Sequence, residues 1–397
     1  MIVSKSIAGG IRLVVAMCCW MALYAPPGLA QVTTEILYLV HQRPRPPTLS
    51  NLNTPPADDG LQGARLGIED NATTGRFLKQ SYALREVIVP PEGDFLAQAK
   101  QALAEKSAAF IVANAPADDL LALADLPETK DALIFNAGAP DTRLRQIDCR
   151  ANLLHTLPSR AMLADALMQF LVKKRWTKIM LIEGPRADDK AFGQALRKSA
   201  EKFRASITAE KSWSLKADMR RNAAAEVPSL TQDAEYDVVL VSDEAGDFGQ
   251  YILYNTWLPR PVAGSQGLMP VGWHRAVEQW GAVQLQNRFR EVAKRDMRAR
   301  DYAAWAAVRS VGEAVTRQST ADVQKLAAYI KGPEFKLALF KGRALDYRAW
   351  NGQLRQPIPL VHSGALVALA PLEGFLHQTS DLDTLGIDGP ETKCRPN

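Results

Sequence analysis

Short apolar runs alternate with amphipathic stretches along most of the chain, and that alternation restricts the fold more than any single residue does. Residues 35–40, 82–89, 109–112 and 132–135 read as strands. Residues 63–71, the stretch after Asp94 with Leu96, Ala99 and Leu103 at helical spacing, and 117–124 read as helices. Asp94 is placed to cap its helix. A β-α-β-α-β series of this period builds a parallel sheet with helices on both faces.

The pattern then restarts. Residues 159–174 read as a helix capped by Ser159, 178–182 as a strand, 190–203 as a helix, and Ile207 with its neighbours as a short strand. A buried strand at 236–241, a helix at 248–256 and a short strand at 261–263 complete a second α/β unit. The remainder differs in kind. It has long helices at 273–298 and 301–317, a shorter one at 321–331, and extended runs at 344–347 and 358–361 around an Asn351-Gly352 turn. With 397 residues, 47% hydrophobic and 23% charged, the chain suits two globular domains rather than a disordered segment.

Residues 1–30 read as a cleaved export signal peptide: Lys5 and Arg12, an apolar run from Leu13 to Ala25, and small residues at Gly28 and Ala30. Removing them takes the formal charge from +5 to +3, a mild and interspersed balance that makes no case for nucleic acid or a membrane surface. Two cysteines then remain, Cys149 and Cys394, and an even count in an exported chain suggests one disulfide. Neither lies in a CxxC pair.

Several segments are familiar in combination. Gly60 to Asn71 resembles the "G…GA.LAIEEIN" helix of type I periplasmic binding proteins, the solute receptors of branched-chain amino-acid-type ABC transporters. Leu153 to Ser159 is similar to their "FRT.PSD" crossover, Ala191 to Leu196 to their "YG.GL" helix, and Asp301 to Ala304 to "YDA". Phe340-Lys341-Gly342, followed by Leu345 to Tyr347 and Asn351-Gly352, is similar to their "F.G.TG…FD…G" close. The resemblance runs in order from about residue 33 to 370. Gly267 to His274 and Trp280 to Ala282 resemble a subgroup that accompanies pyrroloquinoline-quinone-dependent alcohol dehydrogenase systems.

The resemblance implies an α/β fold of two Rossmann-like lobes, each with a parallel central sheet, joined by three hinge crossovers near 150–156, 268–282 and 330–342. It divides the chain into an N-terminal lobe of 31–150 plus 282–330, a C-terminal lobe of 156–268 plus 342–372, and a tail of 373–397. It implies a monomer in the periplasm that traps a small solute between closing lobes and delivers it to an inner-membrane permease and its ATPase. The other readings are an exported ligand sensor or accessory protein, and a calcium- or lanthanide-binding uptake protein.

In amino-acid-binding members the loop aligned with 136–145 reads like "S…ATSP.LT", and its hydroxyls hold the ligand carboxylate. Here those positions are Asn136 and Pro140, and Pro140 has no donor at all. A standard branched-chain amino acid is therefore disfavoured. Asn114, Asn136, Gly138 and Asp141 are candidate ligand contacts on the first lobe, with His41 and Arg43 at the end of the first strand as a source of positive charge. Asp243, Glu244 and Gln266 are the candidates on the second lobe. Asp243, Glu244 and Asp247 also suggest a hard cation, which takes several carboxylate oxygens, or else acids capping a helix start. No cofactor and no catalytic group is expected. Ala263 to Gly267 nearly matches a GxSxG elbow, yet its first position is alanine, and Pro270 and Gly272 argue against the helix that must follow it.

Overall fold

The computed structural model describes residues 32–44, 55–213, 219–232 and 235–395; the expected signal peptide lies outside them. A five-stranded parallel sheet has the order β2-β1-β3-β4-β5, from β1 (Val32–His41), β2 (Gln80–Val89), β3 (Phe110–Asn114), β4 (Leu133–Asn136) and β5 (Leu153–His155). Alternate residues of β1 serve opposite faces, as strand geometry requires. Ile36 and Tyr38 pack with α1 (Leu61–Leu78), α7 (Ala282–Ala293) and α8 (Ala299–Gln318). Leu37 and Leu39 pack with α2 (Phe95–Glu105) and α3 (Ala117–Ala124). Gly63 brings α1 against α8 so closely that a Cβ there would lie 1.8 Å from the Asp301 carbonyl oxygen. Asp94 and Ser159 cap their helices as the sequence indicates, accepting from the Ala97 and Met162 amides.

A second parallel sheet has the order β7-β6-β8-β9, from β6 (Lys178–Glu183), β7 (Ser206–Ser212), β8 (Val238–Ser242) and β9 (Val262–Gly264). Ile179 and Leu181 face α4 (Arg160–Lys173) and α5 (Ala187–Lys202). Met180 and Ile182 face a cluster with Trp213, Val227 of α6 (Met219–Thr231) and Phe248. The expected pair of doubly covered parallel sheets is present.

Other expectations are corrected. Residues 248–256 hold only one 3-10 turn, Gly249–Tyr251, and the helix expected over 273–298 is the shorter α7. Asn351-Gly352 does form a reverse turn, across which Tyr347 and Leu354 make one antiparallel bridge, but the longer hairpin is between β13 (Ile358–His362) and β14 (Ala365–Ala370), with β10 (Met269–Pro270) on the other side of β13. Leu345, Tyr347 and Leu354 pack in the first sheet's core, whereas Ile358 and Leu360 pack in the second's. The last crossing therefore falls between Leu354 and Ile358, later than residue 342. After α9 (Val323–Lys331), β11 (Leu337–Ala338) and β12 (Ala344–Leu345) form a two-stranded ribbon on the first-sheet side. Cys149 and Cys394 are disulfide-bonded, with Cα atoms 5.6 Å apart, and tie the tail to the loop after β4. Among the described residues no helix is long and apolar enough to cross a membrane.

Candidate functional site

Open α/β sheets bind ligands beyond the carboxyl ends of their strands. In this protein those ends meet at Arg160, the first residue of α4. Its guanidinium donates to both carboxylate oxygens of Glu244, after β8, at 2.8 and 2.7 Å, and to Asp188, after β6, at 2.7 Å. It also lies 3.4 Å from the Asp141 carboxylate, after β4 of the first sheet. Arg160 is buried. Burial works against its charge, but Glu244 first, then Asp141 and Asp188, outweigh it and hold the guanidinium above its ordinary range.

Two more arginines lie on the first-sheet side. Arg43, just past β1, donates to the Gly138 carbonyl at 3.0 Å. Arg300, in the first turn of α8, reaches the same oxygen at 3.5 Å and Asp59 at 3.3 Å. Burial chiefly, and Arg300 next, lower the Arg43 guanidinium to about 10. Tyr38 and Asn114 support this wall from behind. The Asn114 amide donates to the Asp59 carbonyl at 2.8 Å and to the Tyr38 hydroxyl at 3.3 Å.

The 136–141 loop is organised by Asn136, which corrects its expected role as a ligand contact. Its side chain is fully buried. Its Oδ1 accepts from the Gly138 and Ala139 amides at 3.1 and 2.8 Å, and its amide donates to the Ala139 carbonyl and to His155 Nδ1. His155 is buried and its protonation is pushed well down, chiefly by that burial, so it is a neutral packing partner. Thus Asn136 shapes the loop from inside, and what the loop presents toward Arg43 and Arg160 is the Gly138 carbonyl and the Asp141 carboxylate.

The expected three-carboxylate cation site is also corrected. Asp243 is buried and accepts from the Asp247, Phe248 and Gly249 amides at 2.9, 2.9 and 2.7 Å, so it caps the turn that follows. Glu244 belongs to Arg160, and Asp247 pairs with Arg186 through a 2.6 Å bond from Nε. Each acid is occupied separately, and among the described residues no group of three or more His, Cys, Asp or Glu could hold a metal. Asp189 is buried as well; burial raises its carboxyl to about 6, against bonds from the Glu244 and Arg186 amides.

His41 is drawn away from the cleft. It pairs with Asp119 at 2.6 Å and stacks on Phe95. Gln266 packs its stem against Gly249. Ser265 Oγ accepts from the Asp243 amide at 2.8 Å and donates to the Val241 carbonyl at 3.0 Å, so this GxSxG-like serine is a strand-end brace. An open groove of about 720 Å³ lies under the C-terminal tail, lined by Trp350, Leu376, His377 and Asp388 among others. None of its lining residues comes from the strand ends, and His377 is already paired with Asp388 at 2.9 Å.

Sequence reasoning missed Arg160, Arg300 and Asp59. A signal for the two arginines was present. Cations in the first turn of a helix oppose its dipole, so they need a local reason to be there.

No family model and no curated protein matches the chain. Solved structures do. A periplasmic binding protein from Burkholderia mallei aligns over 91% of this chain and 98% of its own, at 14% identity and a TM-score of 0.64. A branched chain amino acid ABC transporter periplasmic ligand-binding protein from Burkholderia xenovorans aligns over 85% and 95%, at 16% identity and a TM-score of 0.68. An ABC transporter solute binding protein from R. palustris, solved in complex with benzoate, aligns over 91% and 99%, at 12% identity and a TM-score of 0.65. The chain has the α/β fold of the type I periplasmic binding proteins.

Proposed function

We propose that this protein is the periplasmic solute-capturing component of an ABC uptake transporter. The observation that carries the reading is Arg160, which joins Glu244 and Asp188 of the second unit to Asp141 of the first. The strand ends of both sheets thus face each other across one polar junction, and a solute held there would be gripped from both sides. Bound solute stabilises the closed arrangement, and a permease that prefers that arrangement receives it. The nearly full-length alignment with solute-binding proteins supports this reading, as does the absence of a free nucleophile at Ser265. A standard branched-chain amino acid is disfavoured as the solute, because Pro140 and the buried Asn136 do not supply the hydroxyl clamp of the amino-acid-binding pattern.

The link to quinone-dependent alcohol oxidation is carried by the resemblance of Gly267 to Ala282. In the folded chain Trp273 of that segment stacks on Tyr302 with ring centroids 4.4 Å apart, as hinge packing. A thermal-shift screen of the exported protein with amino acids, alcohols and organic acids tests the capture reading, since a bound solute raises the melting temperature by mass action. A large shift with leucine or valine would overturn the exclusion of those ligands. Uptake of the identified solute, lost on deletion of this gene and of a permease beside it, separates transport from sensing.

A further inference from the structure

We infer that Arg43 and Arg300 form a seat for the carboxylate of a small organic monoacid. The inference rests on the solute-capture reading and adds the chemical class of the solute.

Both guanidinium groups converge on the carbonyl oxygen of Gly138, from 3.0 and 3.5 Å. A carbonyl oxygen accepts two hydrogen bonds but neutralises neither charge. Arg300 has the Asp59 carboxylate at 3.3 Å. Arg43 has no ion-pair partner among the described residues, and Gly138 is the acceptor it uses. A half-buried cation set beside a second cation, with one side-chain hydrogen bond among the described residues, is costly unless an anion joins it. It stays charged at neutral pH, since its guanidinium is lowered only to about 10. A planar guanidinium matches a carboxylate through two parallel N–H bonds, which a hydroxyl clamp does not provide.

The seat is held in place. Asn136 pins the Gly138 amide from inside the loop, and a Cβ on Gly138 would lie 2.5 Å from Asn114 Oδ1. The loop therefore cannot withdraw its carbonyl, and the two arginines have a fixed point of convergence. The opposite wall limits the charge of the solute. Asp188 and Asp141 act on Arg43 electrostatically, and both would repel a second negative group. A monocarboxylate with an uncharged or donor-bearing body fits both walls better than a dicarboxylate.

The test is isothermal titration of the full exported chain with sodium acetate, lactate, benzoate and succinate, each beside its uncharged amide. We expect at least one monocarboxylate to bind about tenfold or more tightly than its amide and than succinate. Arg43→Gln and Arg300→Gln should each weaken it by about tenfold or more. Arg43→Lys should fall between, because it keeps the charge and loses the fork. Melting of the ligand-free variants shows whether they fold. Equal binding of acid and amide overturns the inference, as does full affinity in folded Arg43→Gln or no binding of any acid at about 10 mM. A neutral solute that binds with unchanged affinity in Arg43→Gln overturns the carboxylate seat and leaves solute capture standing.

Discussion

The Lys341 ammonium donates to the Gly272 carbonyl at 2.7 Å, and this one bond ties the last part of the chain to the segment that leaves the second sheet. Lys341 also donates to Gln356 Oε1 at 2.5 Å and to the Pro357 carbonyl at 3.1 Å, and it sits over the Tyr302 ring. Gln356 in turn donates to the Thr156 carbonyl at 2.8 Å. All three crossings between the sheets are therefore linked through one buried cation. Lys341→Met would leave those acceptors unpaired, so we expect a loss of roughly 2–4 kcal/mol in urea unfolding. Burial pushes the Lys341 ammonium well below its ordinary value of 10.5. The folded state then binds fewer protons than the unfolded one just below that value, so this group's contribution rises with pH there and is lost as pH falls. The methionine variant should lack that component.

Arg160 is the second point of joining. Arg160→Met would take from Glu244, Asp188 and Asp141 the cation that pairs with all three. Because Glu244 and Asp188 are partly exposed, the cost should be about 2–3 kcal/mol rather than the full value for a buried pair. Glu244→Gln should cost less, and a double-mutant cycle of the two should show coupling of about 1–2 kcal/mol. Additive losses would mean that the two side chains act independently.

The disulfide closes a very long loop, its cysteines lying 245 positions apart in sequence. Cys149→Ser, or reduction with dithiothreitol, should lower unfolding stability by about 2–5 kcal/mol. It should also speed proteolysis within residues 388–395, whose hydrogen bonds to the body of the chain, among the described residues, run to Gln146. Buried Arg348 donates to Asp383 at 2.8 Å and to the Leu382 and Leu385 carbonyls at 2.8 and 2.7 Å, and these bonds should protect the tail up to Leu385.

Asp189 gives a pH signature. Its carboxyl is raised from 3.8 to about 6 in the folded state, so the folded protein binds the extra proton between those values. Stability from this group is fully present below pH 4 and is lost as pH rises through 6, by about 3 kcal/mol in all. The stability difference between the natural protein and Asp189→Asn, measured at pH 4 and pH 7, should change by about that amount in this direction. A difference that does not vary with pH would show that the carboxyl titrates normally.

Much of the fold was legible because it rests on local periodicity. The runs that became β1, β3, β4, β6 and β8 are nearly all apolar, as strands covered on both faces must be. α6 was not legible, since Pro228 lies inside it and its apolar positions are weak signals. The β13–β14 hairpin was missed because Asn351-Gly352 drew the turn assignment; Gly352 does take a left-handed turn at φ 67°, but between segments joined by a single bridge, Tyr347 with Leu354. At the site, Arg43, Gly138, Asp141 and Glu244 were named from their places after strands. Their partners Arg160 and Arg300 stand at helix starts far away in sequence.

The sequence by itself determined two parallel sheets, their helix caps and the even cysteine count, because each depends on neighbours within a few turns of chain. Tertiary structure alone decided what the polar side chains do. Asn136 turned inward because the Gly138 and Ala139 amides needed an acceptor. Asp243 capped a turn rather than facing a cation. Arg160, more than 80 residues from Glu244, became the bridge between the sheets. A charged group's role is set by which opposite charge reaches it first in space, and that distance is not written in any local pattern.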